Sequence, residues 1–200
     1  MMRLSLLLIV CLVFGFYSTA QAQKFNAFSE DDRARLQDGE ILVWEEKEPG
    51  NEKRFIVSVI LLEHSLQEVW DLIDDKEAIP EVIESVVKAE VLSREGMTTL
   101  ISQEVKGLNV TKNAFYVVKH VGIYPSRVEF HRVSGDFEHI EGAWLFEVIK
   151  GSGGESQTLL TYRLHLDAGK YIPQRLIIRS QLKKLPLIMT AIQRRLGSAQ

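Results

Sequence analysis

Apolar positions follow four regimes along this 200-residue chain. They are nearly continuous from Leu4 to Tyr17 and come in short groups from Lys24 to Leu62. From Val86 to Leu166 they recur with the two-residue period of strands, and from Pro173 to Leu196 at helical spacing. Lys24 to Gly39 reads as a short leader helix, with Ser29 as N-cap, acids behind it and Gly39 as the stop. Strands are predicted at Glu40 to Glu45 and Arg54 to Leu62, parted by the turn Glu48-Pro49-Gly50-Asn51. Ser65 with Glu68 is a capping box, so a helix starts there and sets Val69, Leu72 and Ile73 on one face beside Trp70. Asp74-Asp75 ends it, and Lys76 to Pro80 reads as a second short helix or turn.

Six further strands are predicted: Val86 to Arg94, Met97 to Val105, Asn109 to Ile123, Arg127 to Val133, Ala143 to Ile149 and Gln157 to Leu166. The breaks carry Glu95-Gly96, Gly107, Tyr124-Pro125, Ser134-Gly135 and Gly151 to Gly154, short enough for an antiparallel meander. In the last strand Leu160, Tyr162, Leu164 and Leu166 alternate with Thr161, Arg163, His165 and Asp167, which predicts one buried and one wet face. The final helix, Pro173 to Leu196, contains Pro186, so a kink or a break is expected near Lys183. The fold class is therefore α+β: a curved antiparallel sheet whose buried face is covered by the long C-terminal helix, with two short helices after the first main strand.

The opening residues bear on the compartment. Met1-Met2-Arg3, the apolar run and Ala20-Gln21-Ala22 form the pattern of a secretory signal cleaved after residue 22. The run is too short to span a bilayer, which takes about 20 apolar residues. The expectation is a periplasmic or secreted protein beginning at Gln23. The lone cysteine, Cys11, lies in the removed segment behind Val10, which does not suit a lipoprotein site. The mature chain then carries no thiol for disulfides, metals or nucleophilic attack. A formal charge of -3 argues against nucleic acid as a partner. No repeat or low-complexity tract interrupts the chain.

Three stretches resemble the START-like (SRPBCC) superfamily, the helix-grip fold that includes polyketide cyclase/dehydrase-like and coenzyme Q-binding-like proteins. They are Val57 to Asp75, with the Val69-Trp70 pair before an acidic helix end, then Ile79 to Ser85, and then Gly142 to Phe146 with Thr158 to Tyr162 and Ile172-Pro173. The resemblance implies a START-like domain over 53–197 behind a leader at 23–52. It also implies a cavity between sheet and last helix for a hydrophobic small molecule or lipid. Strand parity nominates its wall: Val128 and Phe130, then Trp144 and Phe146, then Leu160, Tyr162 and Leu164, faced by Ile177, Leu185 and Met189 of the helix. The alternatives are a cyclase/aromatase-like enzyme, or a protein-interaction module whose core is filled.

No cofactor or metal site is expected. The histidines (His64, His120, His131, His139, His165) show no helical ligand spacing and read as surface or rim residues, with His131, His139 and Glu141 able to meet across a hairpin. Tyr116 shares a strand face with His120, and Tyr116, Tyr162 and Glu141 are the candidate acid–base groups for chemistry in the cavity. No Ser-His-Asp arrangement, phosphate loop or nucleotide fingerprint is present. Arg175, Arg179 and Lys183 line one face of the last helix, a solvated face or a transient dock for an anionic membrane surface. Asn109-Val110-Thr111 is a glycosylation sequon, relevant only in a eukaryotic secretory path.

Overall fold

The computed structural model describes residues 25–50, 52–106, 112–151 and 153–198. The expected signal segment 1–22 with Cys11, the Gly107 break and the sequon Asn109-Val110-Thr111 lie outside the described residues.

A turn of 3-10 helix at Phe25–Ala27 leads into α1, Glu30–Gln37, where the Ser29 side chain accepts from the Asp32 amide as a cap should. Strands β1 (Leu42–Lys47) and β2 (Arg54–Leu62) follow. Helix α2 spans Leu66–Asp74 behind a complete capping box, in which Ser65 accepts from the Glu68 amide and the Glu68 carboxylate accepts from the Ser65 amide. The one-turn helix α3, Ile79–Val82, begins later than the sequence suggests, with Pro80 in its first turn. Then come β3 (Val86–Glu95), β4 (Thr98–Val105), β5 (Ala114–Ile123), β6 (Arg127–Gly135), β7 (His139–Lys150) and β8 (Ser156–Asp167). Helix α4, Gln174–Gly197, ends the described chain.

All eight strands form one antiparallel sheet in the order β1-β2-β8-β7-β6-β5-β4-β3. Strand β7 starts at His139 rather than Ala143, because Ile140 to Gly142 pair with Leu166 to Leu164 of β8. Helix α4 runs through Pro186 without a break. One lost backbone bond is outweighed by packing on both sides of it, where Leu185, Ile188, Met189 and Ile192 are buried.

The sheet is apolar on both faces at its β1-β2-β8 side, which corrects the reading of a wet outer face on β8. Phe25, Phe28 and Leu36 of the leader close over Leu42, Val57, Val59, Leu61 and Leu159, with Phe28 edge-on to Trp44. Thr161 and His165 are accordingly buried. The His165 ring packs on Phe55 with its Nδ1 2.9 Å from the Arg54 carbonyl oxygen. Arg163 lies 3.2 Å over the Phe55 ring and donates to Glu46. The larger core fills the inner face, joining β2, α2, α3 and α4 to the inward residues of β4 to β8. Within it α4 packs chiefly on β2 and β1. It lies off the centre of the sheet, and no helix packs comparably on the inner face of β4 to β6.

Candidate functional site

That offset leaves a cavity of about 130 Å³. Its sheet wall comes from alternate residues of β4 to β8, which point inward by the two-residue period of strands. Pairing sets them in rows: Gln103 beside Tyr116, and His120 beside Phe130, itself beside Gly142. Trp144 and Tyr162 pair across β7 and β8, their rings stacked at 3.8 Å and 7°. A Cβ on Gly142 would collide with the Arg163 carbonyl oxygen and the Phe130 ring. The glycine therefore makes room for Phe130 to lie flat in the wall. Ile79, Val82 and Ile83 from the α3 region and Ile188 from α4 complete the apolar lining.

Four of the ten nominated residues line this cavity: Phe130, Trp144, Tyr162 and Leu164. Val128, Phe146, Leu160, Leu185 and Met189 belong to the same core but lie outside the cavity wall, and Ile177 is buried. Helix α2 closes that end of the sheet, bringing the Trp70 ring to 5.1 Å from Phe146. Parity placed these side chains on the inner face, but parity carries no information about how far along the strands a cavity extends.

The wall is less purely apolar than the sequence suggests. Gln103 and His120 are buried in it, and Tyr116 stands beside them. His120 is only 7 % exposed, stacks on Phe130 with centroids 5.5 Å apart, and its Nδ1 has no hydrogen-bond partner. Burial, and then the nearby Lys76 and His131, hold its proton affinity well below that of an ordinary imidazole, so the ring is neutral. Burial likewise pushes the Tyr116 and Tyr162 phenols up, keeping both protonated. His120 and His165 are thus core residues, not rim residues. Their strands are central, which no local pattern reveals.

Lys76 is a further residue that sequence reasoning passed over. It is 2 % exposed, donates to the Ile73 carbonyl oxygen at 2.7 Å and lies 3.3 Å from Asp74. Desolvation brings its amine down to about 8, against a partly restoring pull from Asp74.

The cavity mouth is polar: Asp75, Ser85, Lys106, Gln181 and Lys184 surround it. An ion pair between Arg195 of α4 and Glu81 of α3 spans the neighbouring edge. Glu141 is on the opposite face of the sheet, 2.6 Å from Lys53, which removes it from the set of groups that could act in the cavity. His131 pairs with Glu141 there, and both His131 and His139 are exposed. Among the described residues no three His, Cys, Asp or Glu side chains gather as metal ligands. No described helix is long and apolar enough to cross a membrane.

Residues 62–184, more than half of the chain, match the family model described as polyketide cyclase / dehydrase and lipid transport. Among solved structures, a STAR-related lipid transfer protein from Xanthomonas axonopodis superposes with a TM-score of 0.64 at 15% identity, covering 78% of this chain and 93% of that one. The Zhui aromatase/cyclase from Streptomyces gives 0.60 at 12% identity, over 72% of this chain and 93% of that one. Human StAR-related lipid transfer protein 5 gives 0.61 at 12% identity, over 80% and 83%. These likenesses establish the fold. No curated protein matches the sequence.

Proposed function

Since the chain belongs to the polyketide cyclase/dehydrase and lipid transport family, we propose that it is a carrier, taking up a hydrophobic small molecule or lipid between its sheet and α4. The observation that carries this reading is the cavity of about 130 Å³ walled by Phe130, Trp144 and Tyr162. Burial of apolar ligand area there would contribute roughly 25 cal/mol per Å², enough for retention without charge pairing. A larger lipid requires α4 and α3 to part at the polar mouth. The test is native mass spectrometry and solvent extraction of the purified protein, with titration of an apolar fluorescent dye. Uptake should be lost in Val118→Phe, which fills the cavity from β5. An empty protein that takes up no dye would end the carrier reading.

Export belongs to the same proposal: the pattern at residues 1–22 supports a signal segment, and with it a periplasmic or secreted carrier. N-terminal sequencing from fractionated cells tests it, with Gln23 as the expected first residue. A transient dock on anionic membrane fits the α4 surface. Arg175, Arg179 and Lys183 are exposed, and Leu176 and Leu187 stand exposed in line with Arg179 and Lys183. Basic residues at such a surface contribute about 1 kcal/mol each. Equal co-sedimentation with neutral and anionic vesicles would remove the dock. The cyclase-like alternative rests on the unpartnered, neutral His120 in the wall as a base, and it requires turnover that His120→Gln abolishes.

A further inference from the structure

We propose that the cavity selects an uncharged, ring-sized ligand bearing one carbonyl or hydroxyl oxygen, and that Tyr116, Tyr162 and Gln103 hold that oxygen. This rests on the carrier reading and narrows it from any greasy molecule to one class. Three observations lead to it.

The first is polar groups without partners in an otherwise apolar wall. Among the described residues no hydrogen bond satisfies the side chains of Gln103, Tyr116 or Tyr162, although Tyr162 is only 6 % exposed. Beside them the buried His120 Nδ1 also lacks a partner, and buried polar groups are ordinarily paired. The groups are also neighbours. Gln103 pairs with Tyr116 across β4 and β5, and Tyr162 lines the same cavity from β8. Two hydroxyl donors and an amide that both donates and accepts suit a ketone, a phenol or an alcohol.

The second is charge. Burial keeps both tyrosines protonated and His120 neutral. Lys76, the buried cation near His120, is already committed to the Ile73 carbonyl and Asp74. A carboxylate taken into this wall would meet no free countercharge, and the exposed or half-buried Lys106 and Lys184 stand only at the mouth.

The third is size. At about 130 Å³ the cavity is comparable with an apolar cavity of about 150 Å³ that takes up benzene. It admits one or two fused small rings without movement of α4.

The experiment is calorimetric titration of the purified protein with indane, 1-indanone, benzoate and dodecanoate. The expected order places 1-indanone about tenfold tighter than indane, the yield of two neutral hydrogen bonds, with benzoate weaker still. The double variant Tyr116→Phe/Tyr162→Phe should bind 1-indanone no better than indane. Its thermal midpoint should be unchanged or higher, because it removes hydroxyls that have no partner, whereas hydroxyls that brace the fold would lower it. Gln103→Leu supplies a second variant should the double change impair folding, with a partial loss expected. Equal binding of indane and 1-indanone overturns the oxygen site and leaves the carrier reading intact. Dodecanoate binding tightest, and unaffected by the tyrosine changes, overturns it in favour of an amphiphile headed by Lys106 and Lys184. Failure of every probe to bind overturns both.

Discussion

Lys76 offers the most direct check on the physical account of the core. Its amine is brought down from 10.5 to about 8, chiefly by desolvation. Between those values the unfolded chain holds a proton that the folded protein has released, so stability rises with pH across that window. Integrated, the buried charge weakens the fold by about 3 kcal/mol at pH 7 and about 1 kcal/mol at pH 9.5. Lys76→Met removes the charge and keeps a side chain of similar length. It also deletes the bond to the Ile73 carbonyl oxygen, a loss of about 1 kcal/mol that scarcely depends on pH. The informative quantity is therefore the difference between two differences. Urea unfolding, followed by tryptophan fluorescence, measures wild type and variant at pH 7 and at pH 9.5. The advantage of the variant should shrink by about 2 kcal/mol at the higher pH. Parallel stability curves would show that the amine keeps its ordinary proton affinity when folded, and that the burial argument is wrong.

Three other expectations follow from packing. Gly142→Ala should lower stability by about 2–3 kcal/mol, since its methyl group meets the Arg163 carbonyl oxygen and the Phe130 ring, and the urea midpoint reports this. Leu36→Ala should cost about 3 kcal/mol in the same assay, because the leader is an integral cover of the outer face, where Leu36 is 1 % exposed. Ser65→Ala should cost about 1 kcal/mol by removing half of the capping box of α2, and Ser65→Asp should recover most of it.

The order of elements was legible because it rests on local chemistry. The Ser65–Glu68 box and the glycine turns each operate within a few residues, and each appears where the pattern places it. What was hidden depends on distant partners. The outer side of β8 reads as polar from Thr161, Arg163 and His165, yet a leader more than a hundred residues away covers that side of the sheet and packs on Leu159. Pro186 signals a kink or a break, and the break does not occur: the buried residues flanking it hold α4 in one piece. The cavity wall was partly legible: strand parity nominates Phe130, Trp144, Tyr162 and Leu164, which line it, but not Gln103, Val118 or Phe137. Nothing in the sequence states that α4 rests on β1 and β2, and that offset, with α2 closing one end of the sheet, decides which inward side chains line a cavity.

The pairing of β2 with β8 sets the tempo at which the molecule can assemble. Ile56 lies opposite Leu164 and Leu62 opposite Thr158, so these neighbours are joined by a connection of about half the chain. Closing so long a loop precedes any reward from the contacts it creates, and folds dominated by distant pairings form in milliseconds to seconds rather than microseconds. Until β8 arrives, one edge of β2 is unpaired, and Leu159 and Leu160 are missing from the outer and inner cores. Both apolar layers and the chamber wall therefore stay incomplete until that distant pairing forms.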